Sequence, residues 1–143
     1  MQIALDEAHA AEQRGEVPIG AVIVDKAGKI IARAGNETRA KNDPTAHAEI
    51  LAIRRACHAL GVERLNGHDL YVTLEPCNMC ATAISFARIN RLYYAAEDVK
   101  GGAVDNGTRF YNSAICHHAP EVIGGLEEVQ ASQMLSAFFA AKR

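Results

Sequence analysis

Four residues in two short stretches have the types and spacing to do chemistry. His47-Ala48-Glu49 stands near the middle of the 143-residue chain, and Pro76-Cys77-Asn78-Met79-Cys80 begins in the second half. One imidazole and two thiols supply three ligands of a tetrahedral zinc and leave the fourth position to water. A structural zinc has four protein ligands, and neither stretch offers another Cys or His at the right place. Glu49 stands instead where a proton carrier is useful. A zinc held this way brings the pKa of its water toward ~7. A nearby carboxylate that is not a ligand can then take the proton and deliver it elsewhere.

Local structure must bring the halves together. Asp43 or Thr45 can cap a helix whose first turn carries His47 and Glu49, with Pro44 tolerated at its start. Pro76 opens a second helix, so that Cys77 and Cys80 share a face at i, i+3 spacing. Two helix N-termini aimed at one metal favour thiolate over thiol. Glu75, a further carboxylate just before the Pro-Cys turn, reads as structural or as orienting groups at the helix terminus.

The rest of the chain supplies strands and helices in alternation. Ile3 to Arg14 is an amphipathic helix with Leu5, Ala8 and Ala11 inward, ended by Gly15. Ile19 to Val24 and Ile30 to Ala34 form a hairpin about Lys26-Ala27-Gly28-Lys29. Gly35 to Pro44 is a polar loop leading into the His47 helix, which runs to about Leu60 with Ile50, Ile53, Cys57 and Leu60 on one face. Cys57 on that stripe reads as a core thiol. Asp69 to Leu74 is a strand, Cys77 to Arg88 a helix, and Arg91 to Ala95 a strand. Glu97 to Gly107 reads as loop, and Arg109 to His118 is the least legible segment. Val122 and Ile123 suggest a short edge strand. Glu127 to about Lys142 is a helix carrying Ala131, Met134, Leu135, Phe138 and Phe139 at helical spacing. Such an order implies an α/β fold of three α/β/α layers, a mixed five-stranded sheet with helices on both faces. Chemistry at the C-terminal end of a strand suits that architecture.

Composition bounds the function. One domain, 1-143, is large enough for an ordinary core without cross-links. A formal net charge of −2 argues against a generally basic, sequence-blind nucleic-acid binder but allows a local basic patch. No apolar run reaches membrane-spanning length and no signal pattern opens the chain, so no membrane is expected and cytoplasm is the default. Four cysteines, two at metal spacing, read as reduced thiols. Cys116-His117-His118 are adjacent in a loop and cannot easily converge on one ion.

His-x-Glu followed by Pro-Cys-x-x-Cys is the signature of zinc-dependent nucleobase deaminases. Beyond that signature, Val17-Pro18-Ile19-Gly20-Ala21-Val22, Asn42 to Ile50, Tyr71 to Cys77, Ser85-Phe86-Ala87-Arg88-Ile89 and Ser136-Ala137-Phe138-Phe139 resemble the TadA-like family of tRNA-specific adenosine deaminases, in the cytidine/deoxycytidylate deaminase superfamily. The resemblance runs from about Leu5 to the C-terminus. It implies the cytidine-deaminase-like fold, one Zn2+ per subunit on His47, Cys77 and Cys80, and Glu49 as catalytic proton shuttle. It also implies a tRNA anticodon arm as partner, deamination of its wobble adenosine to inosine, and a homodimer with the substrate site completed near the interface. By the same resemblance Asn36 contacts the purine and Val17-Pro18-Ile19 walls the pocket; the residues alone make Asn36 a turn residue after a strand. Phe138 and Phe139 are core or base-stacking, with one of them expected in the core. The chain departs from the family pattern at Glu97, at Val104-Asp105-Asn106-Gly107 and at Ala140-Ala141, each with less positive charge where RNA would approach. Two other functions compete: deamination of a free base or nucleoside (guanine, cytosine or adenosine), and a non-catalytic zinc-stabilised RNA-binding module.

Overall fold

Alternating strand and helix segments build three layers. The computed structural model describes residues 1–143. Its elements are α1 (Gln2–Gln13), β1 (Gly20–Val24), β2 (Ile30–Gly35), α2 (Ala48–Leu60), β3 (Asp69–Leu74), α3 (Asn78–Phe86), β4 (Arg91–Ala96), β5 (Glu121–Gly124) and α4 (Glu128–Ala141), with a single 3-10 turn at Phe110–Asn112. The sheet order is β2-β1-β3-β4-β5. β1 pairs antiparallel with both β2 and β3, whereas β3–β4 and β4–β5 are parallel. This is the expected mixed five-stranded sheet, with β5 on the expected edge.

Each face has its own apolar cluster. Ile23, Leu70, Val72 and Leu92 from the strands pack with Leu51, Ala52 and Ala56 of α2 and with Ala81 and Ile84 of α3. On the other face Leu5 and Ala8 of α1 meet Ala131 and Met134 of α4 over Ala95 and Ala96. The chemistry-bearing helices α2 and α3 thus share the larger core, which fixes their N-terminal ends relative to the C-terminal end of β3.

Two expectations need correcting. Helix α2 turns Ala48, Leu51, Ala52 and Ala56 inward, while Leu60 is 42% exposed and Ile53 and Cys57 are only partly buried. Small alanines let the helix lie close on the sheet, so the bulkier stripe is displaced to its flank. Nor do Asp43 and Thr45 cap α2. The Asp43 carboxylate accepts the Thr45 N–H and hydroxyl at 2.8 and 2.7 Å, closing a local turn one step before the helix.

Candidate metal centre and active site

Both metal-facing helices begin on a ligand. His47 is the N-cap of α2 and Cys77 the N-cap of α3, each in extended backbone conformation and neither making a side-chain capping bond. Their side chains turn toward each other instead. The capping of α2 comes from twelve residues upstream: Asn36 Oδ1 accepts the Ala48 N–H at 2.8 Å. Cys80 follows in the first turn of α3, fully buried.

The three donors converge. His47 Nδ1 lies 3.7 Å from Cys77 Sγ and 3.6 Å from Cys80 Sγ, and all three donor atoms fall within 4.8 Å of one another. Tetrahedral zinc with Zn–N of 2.0–2.1 Å and Zn–S of 2.3 Å requires N and S to be about 3.6 Å apart. The donor set and its spacing therefore fit zinc, and no fourth Cys, His or carboxylate joins the group.

Charge at the site is set by these neighbours. The hydrogen bond from the Cys80 thiol, opposed by burial and aided by the His47 ring, pulls the Cys77 thiol down to about 4. The same contact with Cys77, together with burial and the Glu49 carboxylate, pushes the Cys80 thiol up. The hydrogen bond with Cys77 raises His47 against its own desolvation. A divalent cation set among these groups would displace the remaining thiol proton, as coordination does for thiols.

Glu49 is 4% exposed and lies within this cluster without belonging to the donor set. Its Oε2 accepts from Cys80 Sγ at 3.0 Å. Burial pushes its carboxyl up, with the Cys80 and His47 contacts acting in the opposite direction. Asn36 is brought to the same place and is buried, with its backbone oxygen accepting from Arg14 Nη2 at 3.3 Å. Because the Ala48 N–H needs an acceptor, Oδ1 must face it and Nδ2 must face away. No protein acceptor takes Nδ2, and it is not among sealed, unsatisfied groups, so its donors remain available.

Supports of the centre extend well beyond its donor residues. Glu75, at the end of β3, accepts the backbone N–H groups of Asp98, Val104, Asp105 and Asn106 at 2.9–3.1 Å and the Asn106 side chain at 2.7 Å. Burial raises its carboxyl, yet these donors together hold it below the usual carboxylate range. Gly102 is required there, since a Cβ would stand 2.5 Å from the Glu75 carboxyl carbon. Asn106 also donates to Glu97 at 2.9 Å, and the Tyr94 hydroxyl bonds Asp105. Four of the residues that depart from the family pattern, Glu97, Val104, Asp105 and Asn106, thus form one bonded cluster around Glu75 and Tyr94. Tyr111, which donates to Ala81 O at 2.9 Å, packs behind α3. An acid directly before a Pro-Cys turn was a signal for Glu75; nothing local marked Asn106 or Tyr111.

Other candidates fall outside the centre. His118 Nε2 donates to Ile89 O at 2.7 Å, and the His118 carbonyl accepts from Ser85 Oγ and Cys116 Sγ, so Cys116 and His118 are tied into the fold, while His117 is exposed. Phe138 is buried and Phe139 is 47% exposed. Lys142 Nζ sits 5.2 Å over the Phe138 ring.

Comparison with known proteins agrees with this geometry. The model of the cytidine and deoxycytidylate deaminase zinc-binding region matches residues 1–96. A tRNA-specific adenosine deaminase of Agrobacterium fabrum is 62% identical over 143 residues, covering all of this chain and 93% of that protein. A structure solved in studies of A-to-I editing by tRNA:A34 deaminases at the wobble position of transfer RNA is 63% identical, with a TM-score of 0.93 over 94% of this chain and 97% of that one. A guanine deaminase from Bacillus subtilis is 36% identical, with a TM-score of 0.67 over 99% of this chain and 90% of that one.

Proposed function

The chain belongs to the cytidine and deoxycytidylate deaminase zinc-binding family, beside the tRNA-specific adenosine deaminases, and on that premise we propose that it converts adenosine to inosine at the wobble position of a tRNA anticodon. The observation that carries the reading is a three-donor metal group with a buried carboxylate beside it that is not a ligand. His47, Cys77 and Cys80 hold the zinc ion, which when bound supplies Lewis acidity and an acidified water at its open position. Glu49 receives a proton from the attacking water and delivers it to a ring nitrogen of adenine. It then carries a second proton to the amine, which leaves as ammonia. Asn36 anchors the start of α2 through Oδ1 and offers Nδ2 to the purine.

We further propose that the catalytic domain, residues 1–143, works as a homodimer through the α2–α3 flank. Ile50, Ile53, Ala83, Phe86 and Ala87 line a cavity there, and Phe86 is 66% exposed. Replacing Phe86 by Glu is expected to give a monomer in sedimentation equilibrium. No helix is long and apolar enough to cross a membrane, and the proposed location is the cytoplasm, where tRNA is modified.

The substrate is tested by measuring inosine on an anticodon stem-loop alongside ammonia from free guanine, cytosine and adenosine. Zinc-loaded protein is used at a fixed salt concentration, because RNA affinity falls with salt. Inosine on the stem-loop without ammonia from the free compounds is expected. Ammonia from a free compound alone would replace the tRNA reading with the nucleoside one, and zinc retention without either product would leave a non-catalytic module.

A further inference from the structure

At the N-terminal ends of the parallel strands, remote from the metal, three loops are bonded into one rim. The Leu65 N–H donates to Ala87 O at 2.7 Å, Asn90 N–H to His68 O at 2.8 Å, and Glu121 N–H to Asn90 O at 3.0 Å. Together they surround a cavity of about 220 Å3 lined by Arg64, Asn66, Gly67, Arg88, Asn90 and His118. No lining residue is acidic and none is apolar. Lys26, from the β1–β2 turn, reaches the same rim: a Cβ on Gly67 would stand 2.5 Å from its Cε and 3.5 Å from its Nζ.

These cations have no acidic partners. The ion pairs of the molecule are made by His9, Arg33, Lys41, Arg55 and Arg91, and none involves Lys26, Arg64 or Arg88. Arg88 gives one N–H to Ser85 O at 3.3 Å and keeps its other donors. Glu63 lines the α2–α3 groove instead. Asp69 is the carboxylate bonded to the rim, through Asn90 Nδ2 at 3.3 Å. Arg88 also has φ of +62°, a left-handed conformation uncommon for residues other than glycine. Three unpaired positive groups around a polar cavity repel one another, in a protein whose net charge is −2.

We propose that this cavity binds a phosphate group. Guanidinium forks match phosphate oxygens in paired hydrogen bonds, and two carboxamides supply further donors. The cavity is smaller than the roughly 300–1,000 Å3 of sites that enclose a drug-sized ligand. With no aromatic or aliphatic wall it has nothing to hold a base or sugar, so the recognised unit is the phosphate itself. The six residues of β3 separate it from Cys77, roughly 20 Å at 3.3 Å per residue. The phosphate it binds is therefore not at the reacting nucleotide. A backbone phosphodiester of a bound RNA and a free phosphate or monoester share this chemistry.

The test is titration of inorganic phosphate into the zinc-loaded protein at low ionic strength, followed by backbone amide shifts. Saturable shifts at residues 64–67, 88–90 and 118 are expected, with affinity at least tenfold lower in Arg64→Gln/Arg88→Gln. Arg64→Glu, which changes an exposed side chain alone, is expected to abolish them while leaving the melting temperature and zinc content unchanged. Shifts centred elsewhere in the wild-type protein, or equal binding by a folded Arg64→Glu variant, would overturn the proposal. Excess full-length tRNA displaces phosphate from these amides if the occupant is a phosphodiester. Phosphate shifts that persist under saturating tRNA assign the site to a free phosphate or monoester.

Discussion

Glu16 and Glu75 are both buried carboxylates, and each folds a loop round itself by accepting backbone N–H groups. Glu16 takes the N–H of Arg39 and of Ala40, at 2.8 Å for the latter, and the Thr38 hydroxyl at 3.3 Å. It thereby shapes the loop that runs from Asn36 into His47. Glu75 takes five donors from the Asp98–Asn106 loop. That loop is also tied to the metal helix directly, because the Ala103 N–H donates to Pro76 O at 2.9 Å. The two halves of the metal centre are thus approached by loops built on one device. They differ in how many groups lose their partner if the acid is removed, and in how close the acid stands to a metal ligand.

That difference orders the expected effects. Glu75→Ala leaves several donors without an acceptor and is expected to lose on the order of 4 kcal/mol of stability, read as a fall in the chemical-denaturation midpoint. Hydrogen exchange should rise first at the amides of Val104, Asp105 and Asn106. Glu16→Ala is expected to cost less, about 2 kcal/mol, because its loop lies nearer solvent and water can replace the carboxylate. Exchange should then rise at Arg39 and Ala40 and not across the 98–106 loop. Equal losses for the two variants would break the comparison.

Asn36 sharpens it, since the proposed function gives one side chain both a structural and a substrate role. Asn36→Ala removes the acceptor for the Ala48 N–H and is expected to cost about 1 kcal/mol. Asn36→Asp keeps the acceptor and loses the Nδ2 donors. It should leave the melting temperature nearly unchanged while kcat/KM falls roughly 10–100-fold, the loss of one hydrogen bond to a buried group. A parallel fall of both quantities in Asn36→Asp would confine Asn36 to a structural role.

What was readable from the chain follows the same division. The convergence of His47, Cys77 and Cys80 was legible because metal chemistry restricts residue type and spacing at once, and Glu49 follows His47 into the same place. β3 was legible to the residue because an apolar run ends at Pro76. Glu75 read as structural from its place before the Pro-Cys turn, but its partners could not be read in this way, nor could Glu16. Glu75 and Asn106 are thirty-one positions apart, and only the folded sheet brings the loop over the strand end. The α2 cap was misread for a related reason: Asp43 and Thr45 have the right types at the right place, but Asn36 reaches the free N–H from across the loop. The buried face of α2 was misplaced because alanine carries little periodic signal, although close packing on a sheet favours it. The chain's departures from the family pattern at Glu97 and Asp105-Asn106 read as lost positive charge, whereas the fold uses them as bonded partners around Glu75 and Tyr94.

The assignment of Glu49 as proton carrier and not ligand is tested most directly by Glu49→Gln, with bound zinc and inosine formation measured on the same preparation. One zinc per subunit retained, with turnover reduced by about 10²–10⁴-fold or more, is the expected result. Loss of zinc would make Glu49 a ligand, and near-normal turnover with zinc bound would remove it from the reaction altogether.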